Sequence, residues 1–331
     1  MKKIIVLLGC LTLVMTMLTA CSPKGLKTGL AVITNAGSSK EATEEKEGVT
    51  QVDSTAVAVL VDDKGIIKNI AIDVVQTKFN FSLTGEITSD LSQQFVGKKE
   101  LGDDYGMLKA SPIGKEWYEQ AEALEKYVTG KTLAEVKGIA VENGYPTDED
   151  LTSSVTMNIA SIISAIEKAV NNAEDLGAKA GDQLGLGIIS ASGKSTKSAS
   201  ADGDGTTQAY THYGAISFDK NGKVTSSILD ASQTNVSFST EGKLTSDLAD
   251  DFKTKLELGA DYGMIKASPI GKEWFEQSEA FSNYIKGKKV ADITGISLED
   301  GVATEKDLES SVTITVTDFL TVIEKAGAAA K

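Results

Sequence analysis

No arginine occurs in the 331 residues, so all 33 basic side chains are lysines. The bidentate guanidinium fork that clamps phosphates is therefore missing, and a phosphate here must be held by backbone N–H groups, hydroxyls, lysine or a covalent bond. Histidine occurs once, at His212, which excludes a multi-histidine metal site and leaves nothing for a histidine-based triad repeated along the chain. Positive charge is also short: 47 acidic side chains give a formal net charge of -14, and the phosphates of a nucleic acid would be repelled. Hydrophobic residues make up 41% of the chain, enough for two ordinary domains with cores of their own.

Cysteine occurs twice, at Cys10 and Cys21. Lys2 and Lys3 precede the apolar run Ile4 to Leu18, and Leu18-Thr19-Ala20-Cys21 ends it on small residues before a cysteine. The run is short for a membrane span. This pattern resembles a bacterial lipoprotein signal peptide, with residues 1–20 removed, Cys21 lipidated and residues 21–27 a tether. Two acyl chains on one residue meet the requirement for stable anchoring. Since Cys10 lies in the discarded part, the mature chain keeps no thiol for a disulfide, a nucleophile or an iron–sulfur ligand.

The rest is a duplication. Gly65 matches Gly222, Gln76 matches Gln233, Trp117 matches Trp274, Thr156 matches Thr313 and Lys168 matches Lys325, all at one offset without a gap. Leu101 to Gln120 and Leu258 to Gln277 differ at positions 103, 108 and 118 only. A period this long means tandem units, since solenoid repeats run to about 20–50 residues. The units are expected at 28–172 and 184–331, joined by a linker at 173–183.

Each unit reads strands first and helices after. An apolar stretch, Gly29 to Thr34 or Gly185 to Ser190, predicts a first strand, although Gly185-Leu186-Gly187 reads as a bend. The inserts Gly37 to Gln51 and Ser190 to Gln208 read as solvated loops. Thr55 to Val61, apolar on one side, and Ile66 to Val75 flank the turn residues Asp62-Asp63-Lys64-Gly65, a hairpin. The second unit repeats this around Asp219-Lys220-Asn221-Gly222. After Ser111-Pro112 the period becomes helical, with Trp117, Ala121, Leu124 and Val128 on one face and Gly130 as the stop. Thr132 to Val136 predicts a short helical turn, and Met157 to Val170 a last helix. The fold class is α+β, each unit a small antiparallel sheet with helices packed on it.

The chemistry-bearing stretch is Asp150 to Thr156, repeated as Asp307 to Thr313, with Asp-Leu-x-Ser-Ser-Val-Thr in common. Burial of Ile159, Ile162, Ile163, Ile166 and Val170 would fix the start of the last helix. It would place Thr156, and likewise Thr313, near free N–H groups at the positive end of the helix dipole. A phosphoester there needs no arginine. A purely structural reading stands beside this one: Thr147 to Asp150 and Thr304 to Asp307 each match a cap with an acid three residues on, and the threonines then serve only the backbone.

This stretch resembles the signature of the FMN-binding domain of flavinylated envelope proteins, Asp-x-x-Ser/Thr-Gly-Ala-Thr followed by a helix. Gly-Ala is replaced by Ser154-Val155 and Ser311-Val312. The resemblance implies two tandem FMN-binding-type domains, with two FMN groups joined through phosphoesters to Thr156 and Thr313 by a flavin transferase. Asp150, Ser153, Ser154, Asp307, Ser310 and Ser311 would be the remaining motif positions. It implies a membrane-anchored extracytoplasmic flavoprotein that passes electrons from a membrane donor to extracellular acceptors, an electron carrier rather than a substrate-turning enzyme. The other reading is a non-redox surface lipoprotein that binds a ligand or a partner. Tyr105-Gly106-Met107 and Tyr262-Gly263-Met264, close to Lys109 and Lys266, line the flavin ring in the first reading and are ordinary core in the second.

Overall fold

The computed structural model describes residues 25–331; the expected signal peptide and Cys21 lie outside the described residues. The first unit runs β1 Lys27–Asn35, β2 Gly48–Val61, β3 Ile67–Phe81, β4 Gln94–Val96, α1 Lys98–Leu101, α2 Trp117–Val128, α3 Leu133–Lys137, β5 Val141–Glu142, β6 Tyr145–Pro146, α4 Glu149–Thr152 and α5 Ala160–Asn171. The second repeats the order with β7 Gln183–Ser192, β8 Gly205–Phe218, β9 Val224–Phe238, α6 Lys255–Leu258, α7 Trp274–Ile285, α8 Val290–Thr294, β10 Leu298–Glu299, β11 Val302–Ala303 and α9 Thr317–Ala329. Small antiparallel sheets with helices packed on them make this an α+β protein.

The hairpins form where the turn chemistry predicts. Asp62 Oδ1 accepts from Lys64 N and Ile66 N, and Gly65 takes φ +74°, a left-handed conformation that glycine adopts without strain. The strands are longer than their sequence signal, and β2 pairs with β3 from Gly48↔Phe81 to Val61↔Ile67. Both faces of β2 are buried, not one. Val57, Val59 and Val61 meet the helices, whereas Ala56, Ala58 and Leu60 meet the second unit's Leu184, Leu186, Ile188 and Tyr213. The alternation of valine with alanine serves this: small side chains on the inner face let two sheets pack closely.

The result is four layers, helices outside and two sheets within. One sheet is β1-β2-β3; the other is β4-β7-β8-β9, so the first unit lends a strand to the second unit's sheet. The seam repeats itself. Ala42 N donates to Gly242 O and Ala199 N to Gly85 O, and the equivalent rings Phe81 and Phe238 stack with centroids 4.1 Å apart. These contacts overturn the reading of the inserts as solvated loops: β2 and β8 begin inside them, and Ala42 and Ala199 pack beside the stacked rings. The linker is likewise extended chain against β1, with Thr28 N donating to Glu174 O and Leu26 N to Ala178 O.

Glycines 185 and 187 do not bend the chain. They sit inside β7, where a Cβ would come within 1.8 Å of Ala326 O and 1.9 Å of Val322 O on α9. Gly29 has the same relation to Ala169 O on α5. Glycine here lets the closing helix of each unit lie directly on strand backbone. Among the described residues no helix is long and apolar enough to cross a membrane.

Candidate functional site

Trp117, Ala121, Leu124 and Val128 are all buried, as their spacing predicts. The helix start is not where Ser111-Pro112 indicates. α2 begins at Trp117 with Glu116 as its cap, in a box where Glu116 N donates to Glu119 Oε2. The Glu116 carboxylate also accepts from Met107 N and Leu108 N, so Met107 to Lys115 forms a strap across the start of α2. Gly106 supports it with φ +75°. Glu273 repeats the arrangement with Met264 N and Ile265 N.

One turn into α2, Gln120 is fully buried within the apolar stripe. Its Nε2 donates to Ser111 Oγ and Lys115 O. Its Oε1 accepts from Thr156 N at 2.8 Å, Met157 N at 3.1 Å and the Thr156 hydroxyl at 3.4 Å. Gln277 does the same for Thr313 N, Ile314 N and the Thr313 hydroxyl, the last at 3.1 Å. One amide thus locks the motif loop to the strap, with every polar atom of a buried side chain satisfied.

This corrects the expected phosphate perch. The last helix begins at Ala160, not Met157, and its capping position is Ile159. The backbone N–H of each motif threonine is occupied by glutamine and is not free for a phosphate. What the geometry leaves is a half-buried threonine on an immobilised backbone, its hydroxyl turned to the glutamine carbonyl.

The other motif residues divide by role. Leu151 and Val155, like Leu308 and Val312, are buried and dock the loop into the core. Ser154 and Ser311 are half-buried and donate to Leu151 O and Leu308 O. Asp150, Ser153, Asp307 and Ser310 are exposed. Neither Thr147 nor Asp150 caps the turn before the motif; Asp148 does, accepting from Asp150 N and Tyr127 Oη. The serine in place of glycine needs no unusual backbone, since Asn143 and Asp300 are the non-glycine residues with positive φ among those described.

A second cluster carries no periodic signal in the sequence. Lys98 is 9% exposed and Lys255 3%. The Lys98 ammonium lies 4.5 Å from the Tyr105 ring centroid and 5.4 Å from that of Trp117. Lys255 lies 4.5, 4.7 and 5.0 Å from Tyr210, Tyr262 and Trp274, and donates to Tyr210 Oη. Burial holds both lysines down to about 8, partly offset by Asp53 and Asp73 for Lys98 and by Asp230 for Lys255. The tyrosines of the Tyr-Gly-Met stretches are therefore cage walls, while Lys109 and Lys266 are exposed. What could have found the lysines is the duplication itself, which pairs them. Gln120 was legible as a polar residue inside an apolar stripe.

The units differ around the cage. Tyr210 replaces Asp53 and His212 replaces Thr55. His212 is buried, 3.5 Å from the Asp318 carboxylate through Nδ1, and burial pulls it down to about 3, so it stays neutral. Among the described residues no group of three or more His, Cys, Asp or Glu is placed to hold a metal ion.

Two clefts between the units are also equivalent by the duplication. One, of about 560 Å³, is lined by Ile70, Asp73 and Tyr118 from the first unit and Leu186, Ile188 and Lys325 from the second. The other, of about 370 Å³, exchanges the roles, with Asp230 and Phe275 facing Leu30 and Val32.

Fold and site together define a duplicated α+β protein with one glutamine-clamped threonine loop and one lysine–aromatic cage per unit. No family model and no solved structure matches the chain. A chlorophenol reductase of Desulfitobacterium hafniense is 32% identical over 136 residues, covering 34% of this chain and 41% of that protein. The match thus spans about two-fifths of that relative's length.

Proposed function

We propose that the chain is an extracytoplasmic flavoprotein, anchored to the cell membrane through a lipid on Cys21, with one FMN joined by a phosphoester to each of Thr156 and Thr313. The two units are read as tandem FMN-binding-type domains. The protein relays electrons from a membrane donor to an extracellular acceptor, and a flavin transferase installs its cofactors. The observation that carries this reading is the paired threonine loop, in which the same glutamine fixes the same threonine in both units.

The residues fit the group. The hydroxyl lies in a half-buried position three residues after an exposed serine, the threonine N–H is held by the glutamine, and aromatic walls stand one helical turn from that glutamine. FMN when bound supplies one- and two-electron chemistry; the chain's residues fix its position and surroundings. The relative's name, a reductase, lies in the same redox field.

Intact mass after co-expression with a flavin transferase tests this. Two FMN-phosphoryl additions that survive denaturation are expected, one of them lost in Thr156→Ala and one in Thr313→Ala. Unmodified mass with the transferase active would refute covalent attachment.

A second reading, a non-redox ligand-binding lipoprotein, is favoured by the two inter-unit clefts with their aliphatic floors and buried carboxylates. Saturable ligand binding by a protein that takes up no flavin would favour it.

A further inference from the structure

Lys98 and Lys255 are buried cations, and among the described residues neither forms an ion pair. Aspartates 53, 73 and 230 act on them at a distance only. Asp73 and Asp230 are committed elsewhere, accepting from Lys99 N and Leu256 N at the starts of α1 and α6. A buried charge without a counter-ion is costly unless something offsets it. Ring faces offset part of this. Among the described residues the Lys98 ammonium makes no hydrogen bond, and the Lys255 ammonium makes one, to Tyr210 Oη. Two units that have diverged at Asp53 and Thr55 both keep the lysine and its tyrosine and tryptophan walls.

The strap that crosses the start of each of α2 and α7 is also unusual. Leu108 and Ile265 occupy the same place on the two straps, 52% and 51% exposed. Each follows the methionine of a strap bonded to the capping glutamate that precedes the cage tryptophan. An exposed aliphatic side chain, aromatic walls and a cation short of partners, with the cage tryptophan one helical turn before the glutamine that clamps the threonine, offer groups suited to a flat ring with an electron-rich edge.

We propose that the two cages are binding sites for the negatively polarised edge of an aromatic ring, with Lys98 and Lys255 as the positioning residues that meet that edge. The assignment deepens the flavin reading and rests on it for the identity of the ring. A threonine-linked flavin then lies along the strap with its ring edge toward the lysine, and the ammonium favours the ring after it has gained electrons. Asp53, Asp73, Lys78 and Glu116 also bear on the first cage, and Asp230, Asp318, neutral His212 and Glu273 on the second.

The chain holds two tryptophans, Trp117 and Trp274, and each is a wall of one cage. Their emission therefore reports on these sites directly. In flavin-loaded protein, Lys98→Met in a Thr313→Ala background should keep its one flavin by mass, lower that flavin's reduction potential and relieve quenching of Trp117. Lys98→Arg should restore both. A flavin retained in Lys98→Met with potential and emission unchanged would overturn the proposal.

Should the wild-type chain carry no flavin by mass, the flavin reading falls and the cages are judged on the unmodified protein. Free riboflavin 5′-phosphate should quench tryptophan saturably, inorganic phosphate should not, and Lys98→Met with Lys255→Met should weaken binding about tenfold. No quenching by riboflavin 5′-phosphate, or equal quenching in the double variant, would overturn the cages as ring sites.

Discussion

Lys168, near the end of α5 in the first unit, forms an ion pair with Glu257 of the second, and the equivalent Lys325 of the second unit pairs with Glu100 of the first. The seam between the units is thus bridged twice by one residue pair, exchanged between the halves. Both pairs are partly exposed, so solvent screens them. A double-mutant cycle on Lys168 and Glu257, read by urea denaturation, should give a coupling of about 0.5–1 kcal/mol that shrinks in 0.5 M salt, about where surface pairs are screened.

Replacing Gln120 by leucine preserves size but leaves Thr156 N and Met157 N without an acceptor. The loss should be about 3 kcal/mol, at roughly 1–3 for each orphaned group. Gln277→Leu should behave alike in the second unit. In the flavin-loading assay each variant should lower labelling of its own threonine, and mass of the two tryptic motif peptides separates the effects.

Gly29→Ala and Gly185→Ala each drive a methyl to within 2.0 and 1.8 Å of a helix carbonyl, so α5 or α9 must lift from its strand. Overpacking of this kind costs about 1–3 kcal/mol, and more where backbone is the obstacle. Thermal unfolding should show both variants well below the parent chain, and amide exchange should rise in the displaced helix.

Burial raises Asp230 from 3.8 to about 7 and Asp73 to about 6. Between these limits the folded chain binds protons that the unfolded chain releases, so their contribution is present below pH 4 and fades as pH rises through 6 to 7. His212 acts in the opposite sense, since its value falls to about 3 and acid favours the unfolded state. Asp230→Asn isolates the first effect: between pH 4 and 7 its urea midpoint should fall less with rising pH than that of the parent chain.

The duplication, the hairpins and the buried face of α2 were legible because each rests on local pattern. Asp62 and Gly65 mark their turn, and Trp117, Ala121, Leu124 and Val128 mark their helix. The sheet-on-sheet seam was not. Thr-Ala-Val-Ala-Val-Leu-Val reads as a strand with one apolar side, since alanine can face either solvent or a neighbouring sheet. The helix start slipped from Met157 to Ala160 because Thr156 and Met157 donate to Gln120, a partner 36 and 37 positions away that no local pattern shows. The threonine pair itself was found by repetition, but its relation to Lys98 and Lys255 depends on packing.

The four-layer arrangement has one more consequence. The motif loops open α5 and α9, which lie on opposite outer faces, so two sheets at about 10 Å spacing and their covering helices stand between them. Whatever occupies one loop neither touches nor shields the other. Filling should therefore be statistical: at half loading, singly and doubly occupied molecules should appear in the proportions of two independent draws.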